Sequence, residues 1–251
     1  MKRFYGILLM VSLVILPVLY SCDNDDGYSL GDFSLPNWAT VRVTGSLYYL
    51  DCDYWGTLYP VNTDMSWYQP VDGQRVLTVF NPLSDNFEGY DHAVKILYIK
   101  NALTKGVDVL TDANNGDFGN DPVIIRKGDL NISGGYLNII FVQNLPKDVD
   151  TKHRISLVRS ENAGSQETDG YIRLELRYNN YDDLSGVYAY GLVSFNLNSL
   201  NINSETKGIK LKLNSAENGE VEYSFDLKNS KQDNSLAEKT SNKDFSKMLL
   251  K

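Results

Sequence analysis

Tyr171-Ile172-Arg173-Leu174-Glu175-Leu176-Arg177-Tyr178 alternates apolar and charged residues without a break. A period of two sends successive side chains to opposite faces of an extended chain, whereas a helix needs a period near 3.6. Ile172, Leu174 and Leu176 therefore face a core, and Arg173, Glu175 and Arg177 face water. The segment reads as a half-buried strand. Other stretches repeat the reading: Ala39–Val43, Tyr48–Cys52, Thr57–Val61, Arg75–Phe80, His92–Tyr98, Arg154–Arg159 and Val187–Asn196. Seventeen tyrosines against four methionines fit the same choice, because aromatic side chains favour the pleated surface of a sheet.

The strands fall into two groups. Five or so lie between residues 39 and 110, with Val107-Asp108-Val109-Leu110 expected to close the set. Strands this short suit a small barrel, since closure removes exposed edges. Asp112 to Asp121 then breaks the pattern with turn-forming residues and no apolar period, and a domain boundary is expected there. Beyond it come seven or so strands with polar outer faces, including a final hairpin of Gly208–Leu213 and Glu220–Leu227 around the tight-turn dipeptide Asn218-Gly219. These suit a two-sheet sandwich. The expected fold is all-β: a small barrel over 34–116, then an antiparallel β-sandwich over 117–228. The polar residues 229–251 are expected to be disordered.

The start of the chain has another purpose. Lys2 and Arg3 precede an apolar run from Ile7 to Leu19, broken by Pro17. A bilayer-spanning helix needs about 20 apolar residues, so this run suits a removable signal peptide over 1–21. Leu19-Tyr20-Ser21-Cys22 resembles a bacterial lipoprotein signal: a small residue precedes a thiol that takes the lipid. Cys22 is thus the expected lipid attachment site, with a plain secretory signal or an uncleaved anchor as the alternative. Residues 22–33 form a tether that opens on Asp23-Asn24-Asp25-Asp26, like the acidic export signal of surface lipoproteins in Bacteroidota. A solvated linker without address function is the alternative there. The expected location is the outer membrane, lipid-anchored and exposed at the cell surface.

Charge and cysteine usage exclude several functions. Residues 1–21 hold two of the 24 basic residues and none of the 32 acidic ones, so the chain from Cys22 onward carries a net charge of −10 rather than −8. Nucleic-acid backbones need Lys and Arg to neutralise phosphates, and no such partner is expected. Beyond Cys22 only Cys52 remains, so no internal disulfide can form in the mature chain. Cys52 shares a face with Tyr48 and Leu50 and reads as a buried apolar thiol. No G-x-S-x-G, H-E-x-x-H or Cys/His arrangement occurs, and the adjacent carboxylates Asp182-Asp183 have no fixed separation. The chain is not expected to be an enzyme, and no catalytic residue or cofactor is assigned. The Asp112–Asp121 loop faintly resembles a calcium loop, but Val123 stands where a bidentate glutamate belongs, so no metal site is expected.

Several segments together resemble a known family: Cys22–Leu30, Trp38–Val41, Tyr48–Leu50, Thr57–Pro60, Gly135–Ile139, Asp169–Arg177 and Gly191–Leu197. Their order and spacing, over nearly all of residues 22–228, are similar to the NigD-like lipoproteins of Bacteroidota. The resemblance implies an N-terminal OB-like barrel and a C-terminal β-sandwich. The family name comes from association with a bacteriocin gene cluster, which implies an immunity or accessory role by association. It carries no catalytic residues over. The polar tail after Leu227 and the Tyr54-Trp55 insertion depart from the family pattern.

On an OB-like barrel the second and third strands and adjoining loops are the usual ligand face. Tyr49, Tyr54, Trp55, Trp67 and Tyr68 lie there, with Asp51 or Asp53 able to accept hydrogen bonds from hydroxyls. These are the candidate ligand-binding residues, although the same rings suit core or ordinary strand surface. The expected partner, besides the membrane through the lipid, is a protein or peptide, with a surface glycan as the alternative.

Overall fold

The computed structural model describes residues 35–163 and 167–227. Cys22, the signal run, the acidic tether and the tail over 229–251 lie outside the described residues.

The first strands close on themselves. β1 (Asn37–Thr44) pairs with β2 (Leu47–Cys52) on one side and with β4 (Arg75–Phe87) on the other. β3 (Gly56–Pro60) pairs with β2 and, in parallel, with β5 (Tyr90–Asn101), which completes a five-stranded barrel of order β1-β2-β3-β5-β4. Alternation fills it: Ala39, Val41, Leu50, Cys52, Leu58, Val76, Phe80, Val94, Ile96 and Ile99 point inward and form one buried cluster. β4 and β5 outrun their neighbours and continue as a hairpin, with register shifts at Val79/Phe80 and Pro82/Ser84.

The remaining strands form two stacked sheets. The larger has the order β14-β13-β11-β10-β7 and the smaller β6-β12-β9-β8. Their strands are β6 (Leu103–Lys105), β7 (Val107–Leu110), β8 (Leu130–Ser133), β9 (Tyr136–Asn144), β10 (Arg154–Ser160), β11 (Tyr171–Asn179), β12 (Tyr188–Asn196), β13 (Gly208–Ser215) and β14 (Gly219–Asp226). In β11, Ile172, Leu174, Leu176 and Tyr178 are buried while the residues between them are half-buried, as the alternation predicts. They meet Leu137, Ile139 and Phe141 of β9 and Val193 and Phe195 of β12 in a single core.

Three expectations need correction. β7 does not close the barrel: it pairs in parallel with β10 at the edge of the larger sheet. Alternation identifies a strand but not its partner, and this partner lies some fifty residues downstream. The Asp112–Asp121 loop is therefore no interdomain linker. It joins two sandwich strands, and its short helix α1 (Asn115–Phe118) buries Phe118. The chain passes from barrel to sandwich near Ala102, not at residues 116–117. The last hairpin also differs in its turn. Ser215 faces Gly219, leaving a three-residue loop in which the Ser215 hydroxyl accepts hydrogen bonds from the Glu217 and Asn218 amides. Gly219 supplies the left-handed residue (φ 68°) that such a loop requires.

Among the described residues, barrel and sandwich share a buried seam within one compact unit. Trp38, Leu77 and Ala102 pack against Ile140 and Leu192, which stand on the outer face of the smaller sheet. Those positions are apolar because the barrel covers them, and the buried polar residues Asn138 and Ser194 stand beside them on the same face.

Candidate functional site

A groove opens at the end of the barrel where β2 turns into β3. Trp55, Gly56, Asp85, Asn86, Asp91 and His92 line it, bordering a shallow space of about 470 Å³ that is open to solvent. The β4–β5 hairpin supplies four of the six. Asp85 lies opposite His92 and Phe87 opposite Tyr90, so Glu88-Gly89 forms a two-residue turn. Both turn residues have positive φ, 50° and 88°, and Asn86 is left-handed as well at 51°. A turn with two left-handed residues matches the twist of the strands it joins, at a backbone cost that glycine at one position lessens.

The polar groups are held in place. His92 Nδ1–H donates to Asp85 Oδ1 at 2.6 Å. Asp91 Oδ2 accepts from both the amide and the hydroxyl of Thr57, each at 2.7 Å. These bonds favour the ionised form and hold the Asp91 carboxyl below the usual carboxylate range. The Trp55 ring stands edge-on to Phe80 and to His92, both centroids at 5.5 Å. Gly56 keeps the floor open, since a Cβ there would collide with the Asp91 carboxylate. The arrangement can stack against a ligand and bond to its polar groups.

The seven sequence candidates do not converge. Only Trp55 lies in the groove. Tyr68 covers the barrel core at the other end of β2, with Tyr48 at 5.8 Å and its hydroxyl donating to Asn101 Oδ1 at 3.2 Å. Burial pushes the Tyr68 hydroxyl well above its usual pKa. Trp67, 66% exposed, stands edge-on beside Tyr68. Tyr49 lies on the barrel's outside in a run of rings, Tyr49–Tyr90–Tyr59–Phe87, with successive centroids 5.2, 5.2 and 5.5 Å apart. Asp51 pairs with Arg42 at 3.5 Å on the same outer surface. Tyr54 reaches toward the sandwich, where Asn131 Nδ2 donates to its hydroxyl at 3.3 Å.

Asp53, offered as a hydroxyl acceptor, is instead sealed in the seam. Its carboxylate takes two parallel hydrogen bonds from Arg75, both 2.7 Å, with the side chains 2% and 0% exposed. Ser133 Oγ–H donates to Asp53 at 2.5 Å, Arg75 also donates to Thr40 and Asn138, and Ser194 donates to Asn138 at 2.7 Å. The guanidinium lies over the Tyr136 ring, 4.6 Å from its centroid. Gly134 (φ 58°) permits the approach, as a Cβ there would collide with the Asp53 carboxylate. Sequence reasoning missed this network and the groove's Asp85, Asp91 and His92. Glu88-Gly89 between two aromatic residues was the one local signal for the hairpin. Nothing local marks Asn138 or Ser194 as partners of Arg75.

The structural comparisons fit this architecture. A crystal structure of a protein of unknown function, DUF1344, from Bacteroides vulgatus is 29% identical, with TM-score 0.68, covering 76% of this chain and 90% of that one. One from Parabacteroides distasonis, named as toxin related, is 34% identical with TM-score 0.63, covering 76% and 91%. A NigD-like immunity protein from Bacteroides caccae shares the fold at 17% identity and TM-score 0.58, covering 80% of this chain and all of that one. No curated protein matches the chain. Residues 38–101 match the NigD-like N-terminal OB domain, and 106–227 match the NigD-like C-terminal beta sandwich domain. With both domains matched in order and a 34% identical relative over three quarters of its length, the chain belongs to the NigD-like family.

Proposed function

We propose that this protein is a lipid-anchored binding protein of the cell envelope, without catalytic activity, that holds a protein or peptide partner in an immunity or accessory role. The groove beneath Trp55 carries the reading. It offers an indole, a bonded histidine–aspartate pair and a pinned carboxylate, groups that hold a ligand by stacking and hydrogen bonds. Cys52 is buried, and burial pushes its thiol up to about 11, so it stays a protonated apolar side chain at neutral pH. Family membership and the names of two relatives, one toxin related and one an immunity protein, support the role. Cys22 after Leu19-Tyr20-Ser21 supports lipid attachment, and the acidic run behind it supports an outer-membrane, surface-exposed position.

The test is a photo-crosslinker placed at Asn86 in the anchored protein on intact cells, with the captured species identified. One dominant protein or peptide adduct, lost on Trp55→Ala, is the expected result. Adducts only to scattered outer-membrane neighbours would refute a dedicated partner. A second reading, glycan capture, is favoured by the ring series Tyr49–Tyr90–Tyr59–Phe87, which offers stacking surface on the barrel's outside. Competition of the adduct by soluble glycan would select that reading.

A further inference from the structure

The sandwich presents an apolar surface built from none of the groove residues. Two loops make it, residues 145–153 between β9 and β10 and residues 180–187 between β11 and β12. They are bonded to each other. The Ser185 amide donates to the Leu145 carbonyl and the Leu145 amide to the Val187 carbonyl, both at 2.7 Å. The Asp148 amide donates to Asp183 Oδ2 at 3.1 Å. Fully buried His153 braces the pair from below. Its Nε2–H donates to the Asp183 carbonyl at 2.9 Å, and with the proton on Nε2 its Nδ1 accepts from the Tyr178 hydroxyl at 2.5 Å. The loop they support holds two consecutive non-glycine residues, Tyr181 and Asp182, in the left-handed region at φ 53° and 56°. That conformation is disfavoured and persists only where surrounding bonds over-determine it.

These loops display apolar side chains among their charged ones. Val149 is 67% exposed, Val187 48%, Leu184 39% and Tyr181 41%, and Tyr188, the first residue of β12, is 62% exposed. Single exposed apolar side chains are ordinary, but four on one pair of bonded loops, with Tyr188 next to them in the chain, mark a contact surface. Its charge selects the occupant. The loops carry Asp148, Asp150, Asp182 and Asp183 against Lys147 and Lys152. Asp121, which accepts from the Asn180 amide at 2.8 Å, adds a further carboxylate beside them. A second copy of this chain would bring like charge to like, and an anionic lipid surface would be repelled in the same way.

We infer that this end of the sandwich docks a basic, amphipathic peptide segment of a partner, its apolar side on Leu184 and Val187 and its lysines or arginines against the aspartates. The surface is independent of the groove, so each can fail alone.

The test titrates the full mature protein with an amphipathic peptide of leucine and lysine. Its controls are a scrambled peptide of the same composition and a leucine–glutamate counterpart. The leucine–lysine peptide should bind best and lose roughly tenfold or more in affinity with Leu184→Ser/Val187→Ser. Asp150→Asn/Asp182→Asn should weaken binding and flatten its salt dependence. Trp55→Ala should leave it unchanged. Should the serine pair lower the thermal midpoint, Tyr188→Ser alone carries the same comparison. Equal binding of the scrambled or glutamate peptide would overturn the inference. So would undiminished binding by the serine variants, loss of binding in Trp55→Ala, or preference for phosphatidylglycerol vesicles over the peptide.

Discussion

Asp51 and Asp53 stand two residues apart, and each has an arginine beside it. Asp51 and Arg42 are 50% and 42% exposed and meet at 3.5 Å through one contact. Asp53 and Arg75 are 2% and 0% exposed and meet through two bonds of 2.7 Å. Neither aspartate joins the inward set of Leu50 and Cys52, so the barrel alone would leave both in water. What separates them is the sandwich, which covers Asp53 and leaves Asp51 bare. An exposed pair gains little, because water screens it and ordering two side chains costs entropy. A buried pair has exchanged hydration for fixed partners, and losing one strands the other.

The strongest test of that contrast is Asp53→Ala. It leaves the Arg75 charge buried without its counter-ion and should cost about 3–5 kcal/mol in denaturant unfolding. Asp53→Leu/Arg75→Met removes both charges and should lose less than Asp53→Ala alone; an equal or larger loss would mean the pair itself, not the stranded charge, is what matters. Tyr178→Phe probes a buried hydrogen bond. It removes the hydroxyl that His153 accepts from, and should cost about 1–3 kcal/mol, between the two aspartates in effect.

Asp169 sharpens the exposed side of the comparison through pH. Hydrogen bonds from Arg173 and Lys210 hold its carboxyl well below the usual carboxylate range. A depressed folded-state pKa contributes stability that is complete above the ordinary carboxylate range and is lost as pH falls through the depressed value. Asp169→Asn should therefore lower the thermal midpoint at neutral pH slightly and make its fall in acid shallower. An unchanged acid limb would show that this cluster adds nothing. The smallest effect belongs to Asp51→Asn, at most about 1 kcal/mol in the same unfolding measurement. A loss matching that of Asp53→Ala would break the contrast altogether.

The sequence carried what is local. The β11 alternation named its buried residues, Cys52 was read as a buried thiol, and barrel and sandwich were both visible as groups of strands. What it could not carry is pairing at a distance. Val107–Leu110 looks like any other edge strand, and its place beside β10 depends on which surface is left open once the sheets stack. Of the candidate residues, Trp55 reached the groove because it sits in the β2–β3 turn. Tyr68 and Trp67 went to the other end of β2, and Asp53 went into the seam. Aromatic content and a sheet period are properties of one segment. A site assembled from the β2–β3 turn and a separate hairpin is not.

The parallel pairings have a consequence for how the molecule comes into being. Leu103 has no ladder partner until Val193 exists, Val107 waits for Leu157, and Tyr171 waits for Gly208. Closing such long loops costs entropy before any contact rewards it, so topologies of this kind assemble slowly. A chain emerging from its N-terminal end can complete the barrel early, since its strands lie within residues 37–101. It then carries the bare outer faces of Trp38 and Leu77, with Arg75 and Asp53 still wet, until β9 and β12 arrive to cover them. The order of birth along the chain thus makes the meeting of the two halves a late event, and the interval before it is when this protein has the most to gain from a chaperone.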